Sequence, residues 1–194
     1  MRPLLVTILT LLSLVVRAQD TNGFHAYAGT VTLVEGGRVP IVIADWNMQR
    51  CTIRCPVGFS SHVDNYQRMI KFDARNGAVA INISLTTNSP GDLPPPEELK
   101  RLALARHPGA GYIQSYPFPT SYKQGLFFDL VQRPASNVSL RTRHGFVPTP
   151  KGLVEFVFSA NDADFESLRV SCMQAMGTLT VEAIKPRSDD QAAK

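Results

Sequence analysis

The sequence has little charge and few cysteines, and it lacks the short motifs of common catalytic sites. Only 19% of its 194 residues are charged, with 20 Lys and Arg against 16 Asp and Glu, whereas 44% are hydrophobic. This balance excludes an intrinsically disordered chain and fits one globular core. No nucleophile elbow, phosphate-binding loop or dinucleotide-binding motif occurs in the sequence. Composition and motifs therefore predict a fold class but no reaction.

Long apolar runs are missing except at the amino terminus, where Leu4–Val16 is followed by Arg17 and Ala18. This run is too short to span a bilayer, and its end suits signal peptidase. The pattern predicts a signal peptide over residues 1–18, with an uncleaved anchor as the alternative. Cleavage leaves 18 basic and 16 acidic side chains, a near-neutral balance that does not favour nucleic-acid binding. We expect an exported protein, in the bacterial periplasm or outside the cell, with no membrane span after cleavage.

Extended segments dominate the rest of the chain and are separated by turn residues. Gly36-Gly37 and Asn76-Gly77 supply the backbone freedom that tight hairpin turns need. The predicted strands are Thr30–Glu35, Arg38–Ala44, Cys51–Cys55, Tyr66–Asp73, Ala78–Leu85, Leu126–Val131, Val138–Arg143 and Leu153–Phe158.

Two helices are predicted from their end signals. Pro94–Pro96 and the paired acids that follow favour a helix start, and this helix extends to Arg106. A second helix begins at Asn161 or Asp162, either of which can cap free backbone N–H groups, and Gly177 ends it.

The order of these elements resembles the PsbP-like group, the PsbP and DcrB type of protein. The residues that carry the resemblance are Cys51–Pro56 with Gly58-Phe59, Asn76-Gly77, Glu97-Glu98-Leu99, Gly125–Phe128 and Asp164-Phe165-Glu166. The resemblance implies an α+β fold, a single-domain α/β/α sandwich with an antiparallel sheet of about six to eight strands between two main helices. It also implies a role in binding or assembly.

The resemblance covers about residues 48–180 and sets the expected domain organisation. We expect a flexible arm over residues 19–29, one globular domain with an added amino-terminal hairpin over 30–184, and a disordered tail over 185–194.

Three cysteines carry the most testable chemistry. Cys51 and Cys55 lie roughly 13 Å apart in a regular strand, which is beyond disulfide reach. If the last helix packs over this strand, as the resemblance implies, Cys172 pairs with Cys51 or Cys55. Three reduced thiols in the core and a local bridge between Cys51 and Cys55 are the alternatives. A Cys-x-x-x-Cys spacing is not a redox motif, so a catalytic thiol is disfavoured.

The three strands after Gln124 predict a row of charges across one face of the sheet. Hairpin register pairs Asp129 with Arg141 and Arg141 with Glu155, on the face opposite Leu130 and Phe156. Such a row either holds a ligand or forms a solvated ion-pair ladder.

Aromatic side chains between Tyr112 and Tyr122 form the best candidate for a contact surface. Tyr116, Phe118 and Tyr122 alternate with prolines, and tyrosines on a rigid loop make contact area at little entropic cost. The alternative is that these rings close the edge of the sheet.

These observations favour an exported, non-catalytic envelope protein that binds a protein partner or a small apolar ligand through loops of the sandwich. The alternative is a secreted, hydrolase-like enzyme in which Asp129 or Glu155 works with a histidine that folding brings near. The scattered histidines do not have metal-ligand spacing, so we predict no metal site and no cofactor.

Overall fold

The computed structural model describes residues 23–74, 80–86, 92–135 and 138–184. The predicted signal peptide, the Asn76-Gly77 turn and the predicted tail lie outside these residues. The described part forms eleven strands and two helices, numbered here in chain order. None of its helices has the length and apolar content needed to cross a bilayer.

Four strands form a small antiparallel sheet. They are β1 (His25–Thr32), β2 (Arg38–Trp46), β3 (Gln49–Arg54) and β11 (Thr180–Ala183). Their order in the sheet is β1-β2-β3-β11.

Seven strands form the larger antiparallel sheet. They are β4 (Phe59–Asp64), β5 (Met69–Ala74), β6 (Ala80–Thr86), β7 (Gly111–Pro119), β8 (Gln124–Ala135), β9 (Val138–Thr149) and β10 (Gly152–Asn161). Their order is β4-β5-β6-β10-β9-β8-β7. The helices are α1 (Pro96–Arg106) and α2 (Asp162–Gly177).

The larger sheet and both helices confirm the predicted α+β class, but three details of the prediction are wrong. The arm expected over residues 19–29 is already β1 from His25 onward. The strand that contains Cys51 belongs to the small sheet, not to the large one. The segment after Tyr112 is an edge strand, β7, and not a loop.

Local sequence explains the ends of these elements. Between β1 and β2 the Leu33 N–H donates to the Gly37 carbonyl at 2.8 Å, and Gly36 has a φ of +82° that disfavours other residues. Helix α1 has proline in its first turn and Glu97 and Glu98 beside the positive end of the helix dipole.

Two hydrophobic clusters occupy opposite faces of the large sheet, because successive side chains of a strand point in opposite directions. Phe127 belongs to the larger cluster, which includes Phe165 of α2 and residues of the small sheet. Phe128, the next residue, belongs to the smaller cluster, which includes Leu99 and Ala103 of α1. The two helices therefore belong to different clusters.

Gly145 lets an aromatic ring lie against the backbone of β9. It pairs with Phe127 across the sheet, and a Cβ at position 145 would come within 1.9 Å of the Phe127 ring. That ring packs on Phe118 at a centroid distance of 4.4 Å. The position of the Phe127 ring thus depends on the missing side chain of Gly145.

We expect Gly145→Ala to displace the Phe127 ring and to lower the free energy of unfolding by about 1–3 kcal/mol, a typical cost of overpacking. Chemical denaturation followed by circular dichroism measures the change. Gly37→Ala is the matched control, because a Cβ at Gly37 has no atom within 4 Å. Equal stabilities of the two variants would contradict this account.

Candidate functional site

A cavity of about 290 Å³ lies between α2 and the strands β7, β8 and β9. We call it the arginine cavity, since three arginines line it. Its lining residues are Gln114, Tyr116, Asp129, Arg141, Arg143, Glu166, Arg169 and Met173.

The base of the arginine cavity is a buried ion pair. Arg143 Nε donates to Asp129 Oδ1 at 2.8 Å, and Arg143 Nη2 donates to Asp129 Oδ2 at 2.9 Å. The two side chains are only 4% and 1% exposed. Gln114 Nε2 donates a third hydrogen bond to Asp129 Oδ2 at 3.1 Å. Asp129 is therefore held by two neighbouring strands, β9 and β7.

Aromatic rings surround the Arg143 guanidinium. Its carbon atom lies 5.0 Å from the centre of the Tyr116 ring, 5.4 Å from that of Phe165 and 5.8 Å from that of Phe127. Burial alone would lower the pKa of Arg143, but the hydrogen bonds and charge of Asp129 outweigh it and raise that pKa. Arg143 is thus charged and held in one orientation.

The rim of the cavity carries a second, exposed set of charges. Glu166 accepts hydrogen bonds from Arg141 at 3.2 Å and from Arg169 at 2.7 Å. Arg141 also lies 4.4 Å from the centre of the Phe165 ring. The hydrogen bond from Arg169 lowers the pKa of Glu166. One carboxylate therefore already sits between the two rim arginines.

Among the described residues, two buried polar atoms of the cavity lining find no hydrogen-bond partner, namely the Tyr116 hydroxyl and Arg141 Nε. Burial raises the pKa of Tyr116 to about 12, so its hydroxyl keeps its proton and can donate. The carboxylate oxygen of Asp162 is 3.6 Å from Arg141 Nε, too far for a hydrogen bond. Unpaired buried donors are costly, so both atoms point to an absent acceptor.

The predicted row of Asp129, Arg141 and Glu155 is wrong. Asp129 pairs across the sheet with Arg143, and Glu155 pairs with Phe146 on the opposite face. For Glu155 the cause is the tight turn between β9 and β10, which sets Thr149 opposite Gly152, whereas the predicted strands left a loop between Arg143 and Leu153. For Asp129 the cause is the irregular register of β8 and β9 between Gln132 and Ala135. Asp129 and Arg141 still share the arginine cavity, but Glu155 does not.

Glu155 instead meets a histidine under α1. His144 Nε2 lies 3.3 Å from Glu155 Oε2, and the His144 ring is completely buried. His107 packs edge-on against that ring at 5.4 Å, and burial together with His144 lowers the pKa of His107. Arg106 Nη2 is 3.9 Å from the other Glu155 oxygen. Residue spacing contains no local signal for this cluster, because its members come from β9, β10 and the end of α1.

The three aromatic residues of the predicted contact surface lie in different environments. Tyr116 lines the arginine cavity, whereas Phe118 is buried against Phe127. Tyr122 lies in the loop after β7 and is partly buried. The exposed large hydrophobic side chains of β7 are instead Tyr112 and Ile113, at 41% and 44%. The positions of Tyr116 and Phe118 thus favour the alternative interpretation, in which the rings close the edge of the sheet.

All three cysteines are free and buried in the structure, so the expected bridge to Cys172 is absent and three reduced thiols line the core. Burial raises the pKa of Cys51 and of Cys172 to about 12, and it also raises the pKa of Cys55. Protonated, inaccessible thiols are poor nucleophiles. Across the described residues, no three His, Cys, Asp or Glu side chains converge as metal ligands.

Comparison with known structures confirms the PsbP-like fold. The chain is similar to the solution structure of cyanobacterial PsbP (CyanoP) from Synechocystis sp. PCC 6803, with a TM-score of 0.53 and 9% identity over 80% of this chain and 92% of that one. A crystal structure from Bacteroides thetaiotaomicron VPI-5482 has a TM-score of 0.41 and 10% identity, over 71% of this chain and 46% of that one. No protein-family model and no curated protein matches the sequence. At such identities the likeness concerns the fold alone.

We expect Asp129→Asn to lower the free energy of unfolding by about 3–5 kcal/mol, because it leaves the buried charge of Arg143 without its counterion. Urea denaturation measures the loss. Glu97→Gln is the control, since the ion pair of Glu97 with Lys100 is exposed and worth at most about 0.5 kcal/mol. A loss for Asp129→Asn no greater than that of the control would show that the buried pair does not stabilise the fold.

Proposed function

We propose that this protein is an exported, non-catalytic binding protein with PsbP-like α/β/α layering, and that it holds a small ligand in the arginine cavity. The observation that carries the proposal is a cavity of about 290 Å³ whose lining includes buried polar atoms without partners. This volume is at the lower end of the range for small-molecule sites, roughly 300–1,000 Å³.

The arginine cavity has the rigidity expected of a binding site. Asp129 fixes Arg143 with two hydrogen bonds, and the Tyr116 ring packs beside the guanidinium. Side chains that are already held in place lose little conformational entropy when a ligand binds. The same contacts orient the polar groups that would recognise the ligand.

A second cavity, of about 350 Å³, lies near Cys55 at the end of α2. Val39, Pro56, Val57 and Ala175 contribute much of its lining, so it would suit a small apolar ligand. The lining of the second cavity also includes the polar side chains of Arg54, Gln174 and Thr178. We favour the arginine cavity because, in the described part of the chain, its lining contains buried polar atoms without hydrogen-bond partners and that of the second cavity does not. A protein partner that binds to Tyr116, Phe118 and Tyr122 is also less favoured, since Phe118 is buried.

The hydrolase alternative is less favoured for a physical reason. Glu155 and His144 lie 3.3 Å apart and could in principle exchange a proton. The His144 ring is fully buried, however, and no part of it is open to a substrate. Binding therefore accounts for the polar groups of the arginine cavity better than catalysis does.

We expect small fragments to perturb the amide signals of β7, β8 and α2 in ¹H–¹⁵N correlation spectra. The probe is a library of neutral, cationic and anionic fragments. Gln114→Trp should abolish these shifts, because position 114 is exposed on the rim and an indole there fills the cavity.

Ser115→Trp is the matched control, since it places the same ring on the opposite face of β7. It should leave the shifts unchanged. The spectrum without fragments verifies that each variant is folded. If no fragment of any charge perturbs the cavity residues, the proposed function is wrong.

Export is proposed from residues 1–18. When the full chain is expressed in a bacterial host, we expect the exported fraction to have the mass of residues 19–194. Alkylation under denaturing conditions without reductant should add three labels, because Cys51, Cys55 and Cys172 are free. Intact mass spectrometry measures both. Absence of the protein from the exported fraction would refute export, the full-length mass in that fraction would refute cleavage, and fewer than three labels would refute the free thiols.

A further inference from the structure

We infer that the ligand of the arginine cavity is a small monoanionic carboxylate with an apolar body. The inference rests on the proposed function and specifies the chemical class of the ligand. Its basis is the set of donors, the balance of charge and the shape of the cavity, which are taken in turn.

The polar groups that lack good partners in the cavity are donors. Arg143 Nη1 has only the thioether sulfur of Met173, at 3.4 Å, and sulfur is a weak acceptor. The Tyr116 hydroxyl and Arg141 Nε have no hydrogen-bond partner. A ligand that satisfies them must present acceptors, and a carboxylate offers two oxygens with several lone pairs.

The charge balance favours one negative charge on the ligand. Arg141, Arg143 and Arg169 line the cavity together with two carboxylates, those of Asp129 and Glu166. The third positive charge is only partly compensated by Asp162, whose carboxylate lies 3.6 Å from Arg141 Nε and is 53% exposed to solvent. A dianion such as hydrogen phosphate would place an excess negative charge beside Asp129, whose side chain is only 1% exposed and is poorly screened.

The rim shows that this geometry accepts a carboxylate. Glu166 lies between Arg141 and Arg169, with hydrogen bonds of 3.2 and 2.7 Å. Its side chain is 56% exposed, so it can turn outward when a ligand enters. A ligand carboxylate deeper in the cavity would meet the same type of guanidinium pair.

The remaining surface suits an apolar body of limited size. The Tyr116 ring and the Met173 side chain provide apolar contact beside the donors. A volume of about 290 Å³ admits a small aromatic or branched carboxylate rather than a long chain.

Benzoate is the probe, and benzamide is its neutral counterpart of nearly the same shape. We expect benzoate to shift the amide signals of the cavity residues in a saturable titration, whereas benzamide and phosphate should bind at least about tenfold more weakly. Tenfold is the effect of one charge-assisted hydrogen bond, which is worth about 1.4 kcal/mol or more.

Tyr116→Phe should weaken benzoate binding about tenfold, because it removes one donor. The variant should fold, since it removes a hydroxyl that has no partner in the free protein. Tyr66→Phe, at an exposed position, should leave the affinity unchanged. Arg169→Gln should weaken benzoate binding but not the residual binding of benzamide.

The outcomes separate the two claims. If neutral or cationic fragments occupy the cavity and benzoate does not, the inferred ligand class is wrong while the proposed function stands. If benzamide binds as well as benzoate, or if Tyr116→Phe and Tyr66→Phe have equal affinities, the carboxylate assignment is also overturned. If no probe of any charge binds, both claims fail.

Discussion

The ion pair of Asp129 and Arg143 lies where β7, β8, β9 and α2 meet. Burying two charges costs several kcal/mol per ion, and only near-ideal geometry with further hydrogen bonds offsets this cost. Here the pair is bidentate, Gln114 donates a third hydrogen bond, and aromatic rings flank the guanidinium. Because separation of β8 from β9 here would leave a buried charge unpaired, the pair fixes the relative positions of these two strands and with them the base of the arginine cavity.

The two faces of the large sheet use polar residues differently. Arg143 and His144 are adjacent in the chain, so their side chains point to opposite faces of β9. Arg143 borders a cavity that exposes part of its hydrogen-bonding capacity, whereas His144 is enclosed with Glu155 and His107 beneath α1. Ligand binding is thus possible at the first cluster, and the second contributes to the attachment of α1.

The sequence predicted those features that depend on local chemistry. The turn at Gly36 and both helices follow from residue types and spacing. The register between neighbouring strands was harder to predict from the sequence, because it depends on the length of the loop that joins them. The predicted partner of Asp129 was Arg141 and the observed one is Arg143, so the register was wrong by an even number of residues and Arg141 stayed on the predicted face of the sheet. The predicted partner of Glu155 was Arg141 and the observed one is Phe146, so that register was wrong by an odd number of residues and Glu155 lies on the other face.

The fold and the site carry different kinds of information. A likeness to PsbP at 9% identity describes how strands and helices are arranged, and it is compatible with many ligands. The residues of the arginine cavity come from four elements that this arrangement brings together, and their chemistry is set by side chains that the likeness does not specify. Recognition must therefore be argued from Tyr116, Arg141 and Arg143 themselves. Because the unsatisfied groups among them are all donors, an acceptor is the missing partner whichever relatives share the fold.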